Sequence, residues 1–160
     1  MSIFSLLPDI LPMILPSAVH VTKAEDLEAS RATSSNSGMV RQGAIVGKSD
    51  KMCATVLTAK PRCASAVHHH GEQDTIIYAA SGTGILMTNP DNDGELKKHE
   101  LSPGDFAFVP PWTEHQEVND TDEDVVWILI RNGPTPLVFY LTDWGGDEAK
   151  KSTEEEYSES

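Results

Sequence analysis

From Met39 onward the chain is written in short apolar runs separated by turn-forming residues, and this punctuation constrains its fold more than any other feature. The runs, rich in Val, Ile and aromatics, are Cys53–Ala59, Ala66–His70, Thr75–Ala80, Gly84–Thr88, Lys97–Leu101, Phe106–Val109, His115–Val118, Val125–Ile130 and Leu137–Leu141. Between them stand Ser81-Gly82-Thr83-Gly84, Asn89-Pro90-Asp91-Asn92-Asp93-Gly94, Ser102-Pro103-Gly104-Asp105, Asn119–Asp124 and Asn132-Gly133-Pro134. Such clusters break helices and close turns. Roughly nine short strands and no long helix after residue 38 predict an all-β sandwich or barrel. Val125–Ile130 is apolar at every position, which predicts a strand covered on both faces.

A chain of 160 residues is the length of one domain with its own core. Residues 1–38 read as an N-terminal arm and loop, residues 39–144 as the barrel, and residues 145–160 as a tail. The arm carries Ile3, Leu6, Leu7, Ile10, Leu11, Met13, Ile14 and Leu15, interrupted by Pro8, Pro12 and Pro16. It lacks the basic start and unbroken apolar centre of a secretory signal. It is expected to pack on the barrel or on a second subunit, with a cleaved signal as the alternative. The expected assembly is a homodimer. A short helix is expected at Lys23–Ala32 and a loop at Thr33–Gly38. The tail, with six acidic residues and little apolar surface, reads as solvated and disordered.

The charge balance is 12 basic against 25 acidic residues, a net of −13. A surface of that sign repels phosphate backbones, so no nucleic-acid partner is expected. No apolar run is long enough to span a bilayer, so no membrane partner is expected either. Cys53 and Cys63 form neither a metal motif nor a disulfide framework. They read as reduced thiols of a cytoplasmic protein.

The chemistry is concentrated in histidines. Three of the six stand together as His68-His69-His70. Alternate residues of a strand share a face, so His68 and His70 point one way and His69 the other. Two imidazoles on one face can chelate one metal ion. His115 opens a second run, after Pro110-Pro111-Trp112-Thr113-Glu114. Glu117 lies two residues further and shares its face.

These residues resemble the two motifs of the cupin superfamily. The first is H-x-H, a gap of three or four, Glu, six residues, Gly. Here it reads His68-His69-His70-Gly71-Glu72-Gln73-Asp74-Thr75, then Ile76 to Ser81, then Gly82. The second is Gly, five residues, P-x-G-x-x-H, three residues, Asn. Here it reads Gly104, five residues, Pro110-Pro111-Trp112-Thr113-Glu114-His115, three residues, Asn119, with Trp112 in place of the second glycine. The resemblance covers residues 68–119 and extends plausibly to about residues 40–142.

It implies a double-stranded β-helix, the jelly-roll barrel, with a divalent metal held by His68, His70 and His115. The fourth ligand of the family, a glutamate, falls on Thr75. Three arrangements stay open: a three-histidine face with open positions, a carboxylate or amide from Glu72, Gln73 or Asp74, or Glu117. Imidazole ligands suit iron, manganese, zinc, copper or nickel, whereas calcium wants oxygen. Glu117 has a second reading as a catalytic general base, its pKa raised by an apolar barrel. Tyr78 and Trp112 read as packing residues. Arg131 reads as the partner of a surface carboxylate or of an anionic substrate. The expected activity is that of a metal-dependent enzyme on a small organic substrate, first an oxygenase. Isomerisation, cyclisation or decarboxylation is the non-redox alternative, and a non-catalytic ligand-binding barrel is the third.

Overall fold

In a computed structural model, described for residues 18–29, 33–34, 37–91 and 94–149, the chain builds two antiparallel sheets that share one interior. The elements are α1 (Ala24–Ala29), β1 (Thr33–Ser34), β2 (Met39–Ile45), β3 (Met52–Ala59), β4 (Cys63–Ala64), β5 (His68–His69) and β6 (Thr75–Ser81). They continue with β7 (Gly84–Thr88), β8 (Lys97–Leu101), β9 (Phe106–Val109), β10 (His115–Asn119), β11 (Val125–Asn132) and β12 (Phe139–Tyr140). One sheet runs β1-β2-β3-β11-β6-β9 and the other β12-β5-β10-β7-β8, with β4 also on β10. This is the all-β fold expected from the turn punctuation, in the jelly-roll form that the motif resemblance implies.

Alternation puts every second residue of the central strands inside. In β11 the inward side chains are Val125, Trp127, Leu129 and Arg131. The outward ones are half-covered, so the expected burial on both faces is reached on the inner face alone. Met39, Leu57, Ile77, Ala79, Leu86, Leu101 and Val109 join the first three in the core. Gly84 is dictated by that packing. A Cβ there would lie 2.8 Å from the Trp127 ring and 2.9 Å from Val125. Gly82 closes the β6–β7 turn at φ +71°, where a Cβ would strike the Asp124 carbonyl at 2.5 Å.

Several boundaries differ from expectation. β2 is absent from the expected strands because its inward Arg41 interrupts the apolar alternation. The helix is confined to Ala24–Ala29, with Ser30–Ala32 outside the described residues. Part of the expected 33–38 loop is strand, since Thr33–Ser34 pairs with Val40–Arg41. Residues 145–149, expected in the solvated tail, fold back on β12: Leu141 bridges Glu148 and the Ala149 amide donates to the Tyr140 carbonyl at 2.8 Å. The arm, 1–17, and residues 150–160 lie outside the described residues. No helix among the described residues is long and apolar enough to cross a membrane. Both cysteines are free; Cys53 is buried, and burial pushes its thiol pKa up.

Candidate metal centre

The interior is apolar at one end and polar at the other. At the polar end β5 and β10 pair antiparallel with His68 directly opposite His115. His70 follows β5 on the same face, and Glu117 follows His115 in β10. All four are buried to 3% exposure or less, and one ligand atom from each lies within 4.8 Å of the others. His69, as alternation requires, points away and packs on the Phe139 ring.

Each of the three rings is oriented by a backbone carbonyl. His68 Nδ1 lies 2.8 Å from Ala66 O, His115 Nδ1 2.8 Å from Thr113 O, and His70 Nδ1 2.7 Å from Leu137 O. A carbonyl only accepts, so each Nδ1 donates its hydrogen and each Nε2 is turned inward. The Nε2 atoms converge. His70 Nε2 is 3.2 Å from His115 Nε2, and His68 Nε2 is 3.2 Å from Glu117 Oε1. Three imidazole nitrogens and a carboxylate so placed can share one cation. Imidazoles locked by carbonyls through the other nitrogen are the ordinary second layer of a metal site. The cluster fits a divalent metal ion.

Protons compete poorly for it. Burial, then Arg131 and His68, hold the His70 pKa well below the ordinary imidazole value. Burial, then His68, lowers that of His115 to about 3. Both nitrogens are therefore unprotonated at neutral pH. Glu117 departs from the raised pKa expected for it. Burial alone would raise it, but Arg41, 3.1 Å from Oε2, and then His68 together outweigh burial and hold the carboxyl well below its usual range. Arg41 is a buried cation that sequence reasoning missed; its signal is a charged residue at an inward position of β2.

The remaining expectations resolve by contact. Thr75, at the family's glutamate position, is buried and accepts a hydrogen bond from Arg131 Nε at 3.2 Å. Glu72 and Asp74 are exposed. The Gln73 amide is engaged by the carbonyls of Asn132 and Thr135 and the amide of Leu137. None of the three joins the four-residue cluster. Arg131 is buried rather than paired at the surface, and its guanidinium donates to His70 Nε2 at 3.0 Å. Tyr78 and Trp112 lie outside the core, 37% and 62% exposed, with Tyr78 against the Phe106 ring and Trp112 beside His69. Asn119 is buried away from the cluster, where its Nδ2 donates to Ala59, Lys60 and Glu123 carbonyls and braces the β10–β11 turn.

A model described as the cupin domain matches residues 55–131, from β3 through most of β11, and takes in all four cluster residues. This chain belongs to the cupin superfamily. A glucose-6-phosphate isomerase of Thermococcus onnurineus is 35% identical over 66 residues, which are 39% of this cupin and 34% of that protein. A gentisate 1,2-dioxygenase of Aquipseudomonas alcaligenes is 32% identical over 60 residues, 38% of this chain and 16% of that one. The match thus spans about a third or less of these curated relatives. Among solved structures, an oxalate decarboxylase of Bacillus subtilis superposes with a TM-score of 0.65 at 21% identity, over 74% of this chain and 32% of that one. At that identity the likeness speaks for the cupin fold.

Proposed function

We propose that this cupin is a metal-dependent enzyme acting on a small organic molecule, with His68, His70 and His115 as nitrogen ligands and Glu117 as the carboxylate ligand. The observation that carries the reading is the set of three carbonyl-locked imidazoles whose Nε2 atoms meet Glu117 in a buried interior. Glu117 takes the place left by Thr75: it brings the missing negative charge from β10 instead of the segment after β5. Arg41 keeps that charge ionised, which suits a ligand better than a base working near neutrality. The bound ion, iron, manganese, zinc, copper or nickel, supplies Lewis acidity and, where redox-active, electron transfer. Arg131, beside His70, places a fixed positive charge where an anionic substrate group would lie.

An oxygenase-type reaction is the first assignment, supported by open positions at a histidine face and by the dioxygenase among the relatives. The non-redox alternative is favoured by the isomerase relatives. Elemental analysis of the purified protein, followed by oxygen uptake with candidate substrates, separates them. Iron or manganese with substrate-dependent uptake supports the oxygenase; zinc without uptake supports the isomerase, cyclase or decarboxylase; bound metal with no turnover of either kind leaves a binding protein. Glu117→Gln tests the ligand role. As a ligand, its loss weakens metal affinity. As a base it would leave metal content intact and lower turnover by on the order of 10²–10⁴.

We also propose that the protein is a homodimer. Its support is the outer face of β6 and β9, where Ile76 pairs with Phe108 and Tyr78 with Phe106, all exposed, with β9 at the sheet edge. Apolar edges of this kind are usually covered. Light scattering at micromolar protein should give twice the chain mass, and Phe106→Glu should halve it.

A further inference from the structure

Beside the metal cluster lies a cleft of about 680 Å³ between β7, β8, β9 and the segment 109–114. Its wall begins at Thr88, which stands directly opposite His115 across the β7–β10 pair. Leu86, Leu101 and Val109 make its buried apolar floor. Three further residues of its lining have no role in the core or the metal cluster.

The first is Trp112. It adopts φ +60°, a left-handed conformation that suits glycine and burdens an aromatic residue. The position is the one where the motif has glycine. The indole gains little burial in return, being 62% exposed with the His69 ring centred 5.5 Å away. Backbone strain at a cleft, in a residue whose side chain packs so little, points to a use outside the fold. The second is His99, the histidine of β8 that faces inward. Its Nε2 lies 3.0 Å from Thr88 Oγ1, and no partner of its Nδ1 occurs among the described residues. The third is Asn89, whose Oδ1 is buried without a hydrogen-bond partner among the described residues.

We propose that this cleft binds a flat, largely apolar molecule, an aromatic bearing a hydroxyl or carbonyl group, which stacks on Trp112 and is anchored at its polar group by His99. A pocket of this size with an apolar floor and a few polar groups suits a ring-sized ligand. A two-carbon acid would leave most of it empty. Stacking on an exposed indole needs a flat face. The polar anchor lies outside both motifs, between Gly82 and Gly104. Any reaction of the bound molecule rests on the metal-centre reading; its binding does not.

The test uses the full chain, metal-free and metal-loaded, titrated with 2-naphthol and with naphthalene and followed by ¹H–¹⁵N NMR. The expected result is that 2-naphthol shifts the Trp112 indole and the Thr88 and Leu101 amides in both forms, and binds more tightly than naphthalene. Trp112→Gly, whose backbone accepts this conformation, should fold and weaken binding roughly tenfold, with Trp112→Phe restoring most of it. His99→Phe should erase the preference for 2-naphthol. Equal binding by wild type and Trp112→Gly, shifts centred on Ile76 and Tyr78 instead, or no binding at all would overturn the proposal. Naphthol binding to a protein that takes up no metal would retire the metal reading alone; metal uptake without naphthol binding would retire this one alone.

Discussion

The two ends of the barrel interior are built on the same strands by opposite means. Along β11 the inward residues Val125, Trp127 and Leu129 meet Leu57, Ala59, Ile77 and Ala79, and cohesion there comes from apolar area removed from water. Polar groups in that end are tolerated rather than used: the Trp127 indole nitrogen is buried with no partner among the described residues. One step further along the strand, Arg131 enters a region of His70, His115, His68, Glu117 and Arg41 held by directed hydrogen bonds and an ion pair. The apolar end is stabilised by burial alone; the polar end holds charges that only their partners make tolerable. Stability and chemistry are thus segregated within one interior.

The sharpest way to break this contrast is at Trp127. Trp127→Ala should cost about 3–5 kcal/mol through lost burial and a cavity, measured by urea unfolding of the metal-free protein. A loss below about 1 kcal/mol would mean that the apolar end is not the main source of stability. Next comes the ion pair. Arg41→Met strands the Glu117 charge and should cost a comparable amount, about 3 kcal/mol or more. Adding Glu117→Leu to Arg41→Met should recover part of it while leaving the site unable to hold metal at wild-type affinity. No recovery would show that Arg41 acts through packing.

A smaller effect is expected from pH. Native His70 and His115 resist protonation, His115 down to about 3, while the unfolded chain takes up protons near 6.5. Between these values the unfolded state binds more protons than the native one, so stability of the metal-free protein falls as pH drops through that window. Glu117, depressed below its ordinary value, adds a further loss below about 4.3. Bound metal should raise the curve without flattening it, because the metal-loaded native state takes up none of these protons either. Thermal melts from pH 7 to 4 with and without metal would check this, and a pH-independent metal-free curve would sink it. The smallest effect on the site belongs to His69. His68→Ala, His70→Ala and His115→Ala should each abolish stoichiometric metal, whereas His69→Ala should leave it bound by elemental analysis. Metal loss in His69→Ala alone would mean that the strand phase is wrong.

Much of this was legible along the chain because its causes are local. Turn residues separate strands, and three runs, Gly84–Thr88, Lys97–Leu101 and Phe106–Val109, coincide with β7, β8 and β9. Alternation alone predicts that His68 and His70 share a face without His69, and that Glu117 shares one with His115. The limits were equally physical. An inward Arg41 reads as a solvent-facing residue until its partner is known, so β2 does not stand out as an apolar run. The direction of the Glu117 pKa depends on a cation 76 residues away in sequence, where a local reading sees only burial. His99 carries no motif; only the pairing of β7 with β8 brings it against Thr88. Trp112 reads as a core aromatic by residue type, and its exposed indole and left-handed backbone emerge only in the fold.

What the sequence determined by itself is the order of strands and turns and the facing of each side chain within its own strand, since both follow from local backbone geometry with a period of two. What only the tertiary structure decided is which faces meet. Four ligand atoms from β5, the residue after it and β10 come within 4.8 Å because two strands far apart in the chain pair with His68 opposite His115. Register between distant strands, and the charges it brings together in a medium of low dielectric, are properties of the closed interior and of no segment alone.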